Sequence, residues 1–136
     1  MQSLEQLRGA DTVLLSTRRR DGRIVNTPVN LVVDGSGYGY FRTSPTSGKA
    51  KRLANYSGVR LAPCTRRGRP EGSDQPGVCT PVTGDEAARA QRLLGRRFPL
   101  VQGLLLPAVD RLWRRSPAYF RVISAEEPTP WEGLGR

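Results

Sequence analysis

The chain has 136 residues, which suits one domain, and its 37% hydrophobic and 25% charged residues fit a folded protein rather than a disordered one. No apolar run reaches the roughly 20 residues that cross a bilayer and the N-terminus is polar, so we expect a soluble cytoplasmic protein. Histidine is absent and there are two cysteines, which excludes histidine-based catalytic triads and zinc sites with four nitrogen or sulfur ligands. We therefore expect any chemistry to come from a bound group.

The charge is strongly basic. Lysine and arginine total 22 against 12 acidic residues, a formal charge of +10, and two of the 22, Lys49 and Lys51, are lysine. This charge favours an anionic partner, but nucleic acid, a membrane surface and a phosphorylated cofactor all stay open, because long-range attraction responds to charge and not to chemical identity. Arginine in place of lysine, with many Gly, Pro and Ala, is also what GC-rich codon usage produces.

Hydrophobic periodicity and turn residues divide the first half of the chain. Leu4 and Leu7 are three apart, which predicts one or two turns of helix. Apolar and β-branched runs follow, separated by Asp21-Gly22 and by a second turn at residues 34–37, as is typical of hairpins. The predicted strands are residues 12–17, 24–33 and 38–43. We expect them to pair in this order as an antiparallel meander.

The second half begins with a change of period. Apolar residues recur at helical spacing between residues 44 and 57, which predicts a short helix. Two strands joined by a Gly/Pro-rich connection at residues 66–77 follow, and Pro81 favours an edge or a bulge for the second of them. Asp85 and Glu86 are typical of the start of a further helix. The predicted strands of this half are residues 59–65, 78–83 and 118–123.

The order of these elements predicts the fold class. Six strands in a mostly antiparallel arrangement, with a helix inserted in the middle, indicate a mainly β fold, and closure into a small barrel would remove exposed sheet edges. We expect one domain over residues 1–125 and a C-terminal tail over residues 126–136.

The segment RTSPTSGKAKRL, residues 42–53, runs from the end of a predicted strand through a hydroxyl-rich turn into a helix. We expect Ser47 to be the N-cap, which leaves the first backbone amides, around Gly48 and Lys49, pointing outward with the positive end of the helix dipole. Short donors precede these amides, and Lys49 and Arg52 lie on one helical face. The candidate phosphate-binding residues are Thr43, Ser44, Ser47, Gly48, Lys49 and Arg52.

Two interpretations fit this segment. One is a phosphate cradle, and the other is a solvent-facing capped helix, since capped basic helices are common. The segment is not a Walker P-loop, because it lacks the Ser or Thr after the lysine and the glycine five residues before.

Taken together, these segments resemble a known family. The sequence is similar to the pyridoxamine-phosphate-oxidase-like split-barrel superfamily and, within it, to actinobacterial and archaeal oxidoreductases that bind coenzyme F420, a deazaflavin, or a flavin. The matching segments are VLLSTRRRDGRIVNTPV (residues 13–29), YFRTSPTSGKAKRLANYSGVRLAPC (residues 40–64) and RRGRP (residues 66–70). The resemblance covers about residues 4–123 and implies a six-stranded antiparallel split β-barrel of the FMN-binding type.

The resemblance also implies binding residues. In the family a TxxxS-x-K segment binds the cofactor phosphate, which falls here on Thr43, Ser47 and Lys49, with Lys51 or Arg52 as a further cation. The strand ending in T-P-V lies beside the isoalloxazine or deazaflavin ring in the family. Its residues here are Asn26, Thr27, Pro28 and Val29. The chain departs from the family at Gly48, where relatives often carry a bulkier residue, and at Arg60 and Pro63, which interrupt an otherwise apolar strand.

The implied activity is that of an F420-dependent oxidoreductase, with FMN as the alternative cofactor, which transfers a hydride between reduced deazaflavin and an organic acceptor. The protein then binds the ring, orients the acceptor and excludes competing reactions, so we assign no catalytic side chain and no metal. A proton for the product comes from water or from a tyrosine such as Tyr40. The alternative is a non-catalytic protein of the same fold that carries a flavin, deazaflavin or haem-like ligand.

The family forms homodimers with the cofactor between subunits, so the resemblance implies a homodimer.

Three remaining features have simpler interpretations. Few aromatics lie among the arginines at residues 18–20 and 66–69, so we expect no nucleic-acid partner. We expect these arginines to lie in solvated turns or to contact the acidic tail of the cofactor. Cys64 and Cys79 are expected as cross-strand neighbours that remain free thiols in a reducing cytoplasm. The apolar residues 98–113 are expected to pack on the barrel or at a subunit interface rather than on a membrane.

Overall fold

The structure is a computed structural model, and it describes residues 4–44, 47–55, 57–99, 102, 105–113 and 117–125. Within these residues seven strands form one antiparallel sheet with helices around it. The strands are β1 (Thr12–Arg18), β2 (Ile24–Val29), β3 (Val32–Val33), β4 (Gly39–Thr43), β5 (Gly58–Cys64), β6 (Gln75–Val82) and β7 (Ala118–Ser124). The helices are a 3-10 helix (Leu4–Leu7), α1 (Gly48–Asn55), α2 (Gly84–Arg97) and α3 (Leu106–Trp113).

The two outermost strands of the sheet are consecutive in the chain. The strand order is β2-β1-β5-β6-β7-β4-β3, and only Asn30 and Leu31 join β2 to β3. A flat sheet of seven strands would separate its outer strands by about 29 Å, whereas two residues bridge roughly 10 Å. The sheet therefore curls until its ends meet, and it stays split because no ladder pairs β2 with β3.

The mainly β, antiparallel class predicted from the sequence is confirmed, and both pairings of the predicted meander occur, but the strand count is wrong because two strands, not one, make these pairings. The predicted strand at residues 24–33 breaks after Val29, because Leu31 turns into the core and is 1% exposed. The first part pairs with β1 as predicted, whereas Val32 and Val33 pair with Tyr40 and Gly39 at the opposite end of the sheet. One predicted strand is therefore two, and the sheet has seven strands rather than six.

Two apolar clusters lie on the two faces of the sheet. The inner cluster takes residues from all seven strands, as expected inside a curled sheet, and includes the stacked rings of Phe41 and Phe120, 5.4 Å apart. Leu53 of α1 packs into this cluster. The outer cluster lies under α2, through Ala90 and Leu94. The inserted helix α1 thus packs on the inner face, while α2 covers the outer one.

The register of β5 and β6 corrects the cysteine prediction and explains Pro81. These strands pair from Gly58 with Val78 to Leu61 with Gln75, so the amide of Cys79 donates to the carbonyl of Ser57 at 2.9 Å. Cys64 lies at the far end of β5, opposite Thr12 of β1, and the two buried free thiols are not neighbours.

Pro81 lies in the part of β6 that continues beyond the ladder with β5 and pairs with β7 alone. One side of the strand is therefore an edge there, as predicted, and an edge tolerates a proline.

The predicted tail at residues 126–136 lies outside the described residues, as does part of the apolar segment at residues 98–113. In the described part of that segment Leu105 and Leu112 are 56% and 76% exposed. Across the portion of the chain that the structure describes, no helix is both long enough and apolar enough to cross a membrane.

Candidate functional site

The candidate phosphate site lies where β4 ends and α1 begins. Ser47 is the N-cap that was predicted, because its Oγ accepts a hydrogen bond of 3.1 Å from the amide of Ala50. Ser47 Oγ also shares a hydrogen bond of 3.0 Å with Oγ1 of the buried Thr43. Gly48 and Lys49 begin α1, where helix amides have no partner within the helix, and no hydrogen bond joins their amides to another described residue. We call this junction, with Arg52, the cradle.

Two partly buried cations stand beside these amides. Burial lowers the pKa of Lys49, and the nearby positive charge of Arg52 lowers it further. Burial likewise lowers the pKa of Arg52, with a contribution from Arg19. Neither Lys49 nor Arg52 forms an ion pair with any described acid. Positive charge held partly out of water without a counterion is unfavourable, and a bound anion would relieve it.

Arg52 is held in place by a contact that the sequence analysis missed. Its Nε donates a hydrogen bond of 2.6 Å to Oγ1 of the buried Thr17 at the end of β1. A Cβ atom on Gly48 would lie 2.8 Å from Nη1 of Arg52, so the guanidinium occupies the space that a bulkier residue at position 48 would take. The departure at Gly48 therefore has a physical reason. The sequence left Lys51 or Arg52 as the cation beside Lys49. Lys51 is exposed, so Arg52 is the one that belongs to the cradle.

Ser44 stands at the edge of the cradle. It is exposed, and its carbonyl accepts the amide of Ser47 at 3.1 Å. Thr43 and Ser44 also line a cavity of 250 Å³ between the end of β4 and α3. One wall of this cavity is an ion pair between Arg42 and Asp110, whose side chains are 9% and 17% exposed. Nothing in the sequence pattern connects these two residues, because the pair depends on where α3 docks.

The four residues predicted beside the ring alternate between the faces of β2. Val29 belongs to the inner cluster, and Thr27 shares its face. Asn26 and Pro28 are exposed on the other face, where Oδ1 of Asn26 accepts a hydrogen bond of 2.7 Å from Oγ of Ser16. A flat ring therefore cannot contact all four side chains at once. In the part of the chain that the structure describes, β2 is an edge strand, and no ladder pairs the outward backbone groups of this strand.

The cradle and β2 are connected through Thr17. This residue, which holds Arg52, pairs with Val25 across the β1–β2 ladder. Thr27 lies two residues beyond Val25 on the same face of β2, about 7 Å from it. The structure therefore places the phosphate candidates at one end of the strand that was predicted to lie beside the ring.

Tyr40, considered from the sequence as a proton source, belongs to a different part of the molecule. It is 1% exposed, lies in the outer cluster under α2, and its hydroxyl donates to Glu86 at 2.9 Å. Burial and this carboxylate raise the pKa of Tyr40 to about 12. A hydroxyl so placed is a poor proton donor near neutral pH.

Tyr40 is part of a polar network between α2 and the sheet, which we call the α2 clamp. Arg89 Nη1 lies 2.9 Å from Oδ2 of the buried Asp34, and Arg121 Nη1 lies 3.0 Å from Oε2 of Glu86. Asp34 also accepts hydrogen bonds of 2.9 Å from the amides of Ser36 and Tyr38. These contacts attach α2 to the turn before β4 and to β7.

A scan against protein-family models gives no match, and neither does a search of curated proteins. Solved structures do match. The heme storage protein HutZ from Vibrio cholerae is 16% identical with a TM-score of 0.67, covering 93% of both chains. An F420 reductase is 14% identical with a TM-score of 0.59, covering 89% of this chain and 92% of its own.

A putative 5-nitroimidazole antibiotic resistance protein from Bacteroides thetaiotaomicron is 13% identical with a TM-score of 0.64, covering 88% of this chain and 76% of its own. At such identities the similarity establishes the fold alone. The chain therefore has the split-barrel fold.

Proposed function

We propose that this protein is an oxidoreductase that uses coenzyme F420, with FMN as the alternative cofactor, to transfer a hydride between the reduced deazaflavin and an organic acceptor. The observation that carries the proposal is the cradle. There, the amides that begin α1 meet two partly buried cations that have no acidic partner among the described residues. Both cofactors carry a phosphate, which is the kind of group that such a site stabilises.

The donors of the cradle fit a phosphate group. Thr43 and Ser47 have two hydroxyl hydrogens and share one hydrogen bond, which leaves one hydroxyl donor for a phosphate oxygen. The amides of Gly48 and Lys49, the ammonium of Lys49 and the unused guanidinium donors of Arg52 complete the set. Because Thr17 orients Arg52, less side-chain freedom is lost when the anion binds.

When bound, the reduced deazaflavin supplies the hydride. The residues of the chain bind the phosphate at the cradle and orient the ring along β2, where Thr27 and Val29 offer one face and the strand edge offers backbone groups. Tyr40 lies in the outer cluster rather than with Val29 in the inner one, and it is too weak an acid to serve. A proton for the product therefore comes from water in this proposal.

A second candidate is a non-catalytic carrier of a flavin, a deazaflavin or a haem-like ligand. The similarity to HutZ, a heme storage protein, favours it at the level of the fold. Haem held by an axial histidine does not fit this chain, because the sequence contains no histidine. A carrier of a flavin or a deazaflavin would use the same cradle, so turnover is what separates it from the enzyme.

A homodimer is part of the proposal. Leu112 on α3 is 76% exposed and Leu105, just before α3, is 56% exposed, which are large apolar side chains to leave in water. Molecular mass in solution, measured by light scattering, tests this part. A mass near 30 kDa, about twice the 15.0 kDa of the chain, is expected, and a mass near that of one chain would contradict it.

The cofactor is tested by titrating the purified protein with F420, FMN and hemin in parallel. We expect F420 to bind most tightly, and reduced F420 to be oxidised in the presence of at least one member of a panel of organic acceptors. Tight binding of F420 without oxidation by any acceptor would identify a carrier. A preference for FMN would change the cofactor, and binding of none of the three would contradict the proposal.

A further inference from the structure

A cavity of 540 Å³ opens at the opposite end of β1 from the cradle. It lies between the start of β1, the end of β2, the end of α2 and the connection from β5 to β6. Its volume is within the roughly 300 to 1,000 Å³ of small-molecule sites. Thr12 in this cavity and Thr17 beneath the cradle are five residues apart on one strand, about 17 Å. The cavity and the cradle are therefore separate sites.

The walls of the cavity combine apolar surface with a satisfied ion pair. Pro28, the buried Val29 and Phe98 supply the apolar surface. Arg97 Nη2 lies 2.8 Å from Oδ1 of Asp11, and the same guanidinium lies 5.0 Å from the centre of the Phe98 ring. Asp11 is thus engaged by Arg97 and does not compensate any other cation.

Arg66 is the remaining cation of this cavity. It is exposed, and no hydrogen bond or ion pair joins its guanidinium to any described residue. With Arg66 and Arg97 against Asp11, the lining has a net positive charge. A free guanidinium presents a fork of N–H donors that matches the two oxygens of a carboxylate.

We propose that this cavity binds an organic monocarboxylic acid. The carboxylate pairs with Arg66, and the apolar body of the acid lies against Pro28, Val29 and Phe98. An inorganic anion would make no apolar contact with the wall of the cavity. A polyanion would meet a single cation, Arg66, that is not already paired with an acid. The role of the bound acid rests on the proposed function. Pro28 and Val29 are also predicted to lie beside the ring, so an acid with a carbon–carbon double bond conjugated to its carboxylate would be the acceptor, taking the hydride on one carbon of that bond and a proton from water on the other.

The proposal is tested by calorimetric titration of the protein, without added cofactor, with 2-naphthoate and its neutral analogue 2-naphthalenemethanol. We expect the naphthoate to bind at least about tenfold more tightly than the alcohol. Arg66→Gln should remove this difference, whereas Arg69→Gln, an exposed arginine of the same loop outside the cavity, should preserve it. Lys49→Ala in the cradle should preserve it as well.

Absence of naphthoate binding, an equal effect of Arg66→Gln and Arg69→Gln, or loss of binding in Lys49→Ala would each overturn the proposal. A second titration with saturating F420 or FMN should leave naphthoate binding intact, and displacement by the cofactor would assign the cavity to the cofactor itself. If neither cofactor binds while naphthoate binding depends on Arg66, the proposed function fails and the cavity stands. If a cofactor binds and naphthoate does not, the proposal for the cavity fails and the proposed function stands.

Discussion

The cradle and the α2 clamp both place cations against the sheet, but only the clamp pairs them with acids. In the clamp Arg89 pairs with Asp34 and Arg121 pairs with Glu86. In the cradle the hydroxyl of Thr17 is the only hydrogen-bond partner of Arg52 among the described residues, while burial lowers the pKa of Lys49. Arginines paired with acids attach one element to another, whereas partly buried cations without acids are available to a ligand. In our proposal this difference separates the cations that hold the fold together from those that bind the ligand, in a chain with 22 cations.

The clamp should therefore respond to substitution through stability, and Asp34→Ala should have the largest effect. The change leaves two turn amides and Arg89 without their buried acceptor, and we expect the free energy of unfolding to fall by about 3 kcal/mol. Urea denaturation measures this. Asp21→Ala is the matched control, because Asp21 makes similar contacts to Arg23 in an exposed turn and should cost under about 1 kcal/mol. Equal losses would show that the clamp is no more than a surface network.

The cradle should respond to pH through affinity. Because burial lowers the pKa of Lys49, this residue loses its proton at a lower pH than an ordinary lysine does. Affinity for F420 or FMN should be constant from about pH 7, where the phosphate of FMN is fully ionised, up to that pKa, and fall up to about tenfold as the pH rises through it, since the deprotonated amine no longer attracts phosphate. Lys49→Arg should remove the alkaline decrease, because arginine stays charged. An identical decrease in both proteins would exclude Lys49 as its source.

Tyr40→Phe tests whether the clamp is separate from the chemistry. The substitution removes the hydrogen bond to Glu86, and we expect a loss of about 1 kcal/mol in the free energy of unfolding with cofactor affinity and turnover unchanged. Stability and turnover are measured on the same preparation. Loss of turnover without loss of stability would identify Tyr40 as a proton donor, and the α2 clamp would then take part in the chemistry.

Gly48→Ala should have the smallest effect. The new Cβ meets the flexible end of Arg52, so we expect the free energy of unfolding to change by less than about 0.5 kcal/mol and cofactor affinity to fall by about twofold to threefold. The fall should vanish in an Arg52→Gln background, as a double-mutant cycle would reveal. An equal fall in that background would mean that Gly48 acts on the ligand directly and not through Arg52.

Local features of the fold were predictable from the sequence. The cap at Ser47, the hairpin at Asp21-Gly22 and the acidic start of α2 each depend on residues within a few positions of one another. Side-chain hydrogen bonds, turn propensity and the helix dipole act over that range. The local geometry of the cradle was predictable for the same reason, since all but one of its contacts lie within residues 43–52.

Features that depend on distant parts of the chain were not predictable. The break after Val29 follows from the burial of Leu31 inside a curled sheet, and the separation of Cys64 from Cys79 follows from the register of β5 and β6. The contact between Arg52 and Thr17 joins residues 35 positions apart. None of these has a local signature, because each depends on where the sheet brings distant segments.

Whether the cradle binds the phosphate of the cofactor is tested by comparing the two lysines of the chain. F420 and FMN are titrated against the wild type, Lys49→Ala and Lys51→Ala, which alter the partly buried and the exposed lysine of the same helix. We expect at least about a tenfold loss of affinity, roughly 1.4 kcal/mol, for Lys49→Ala and no more than about twofold for Lys51→Ala. Equal losses would indicate general attraction by a basic surface, and no loss in either variant would place the phosphate elsewhere; either result would overturn the proposed phosphate site.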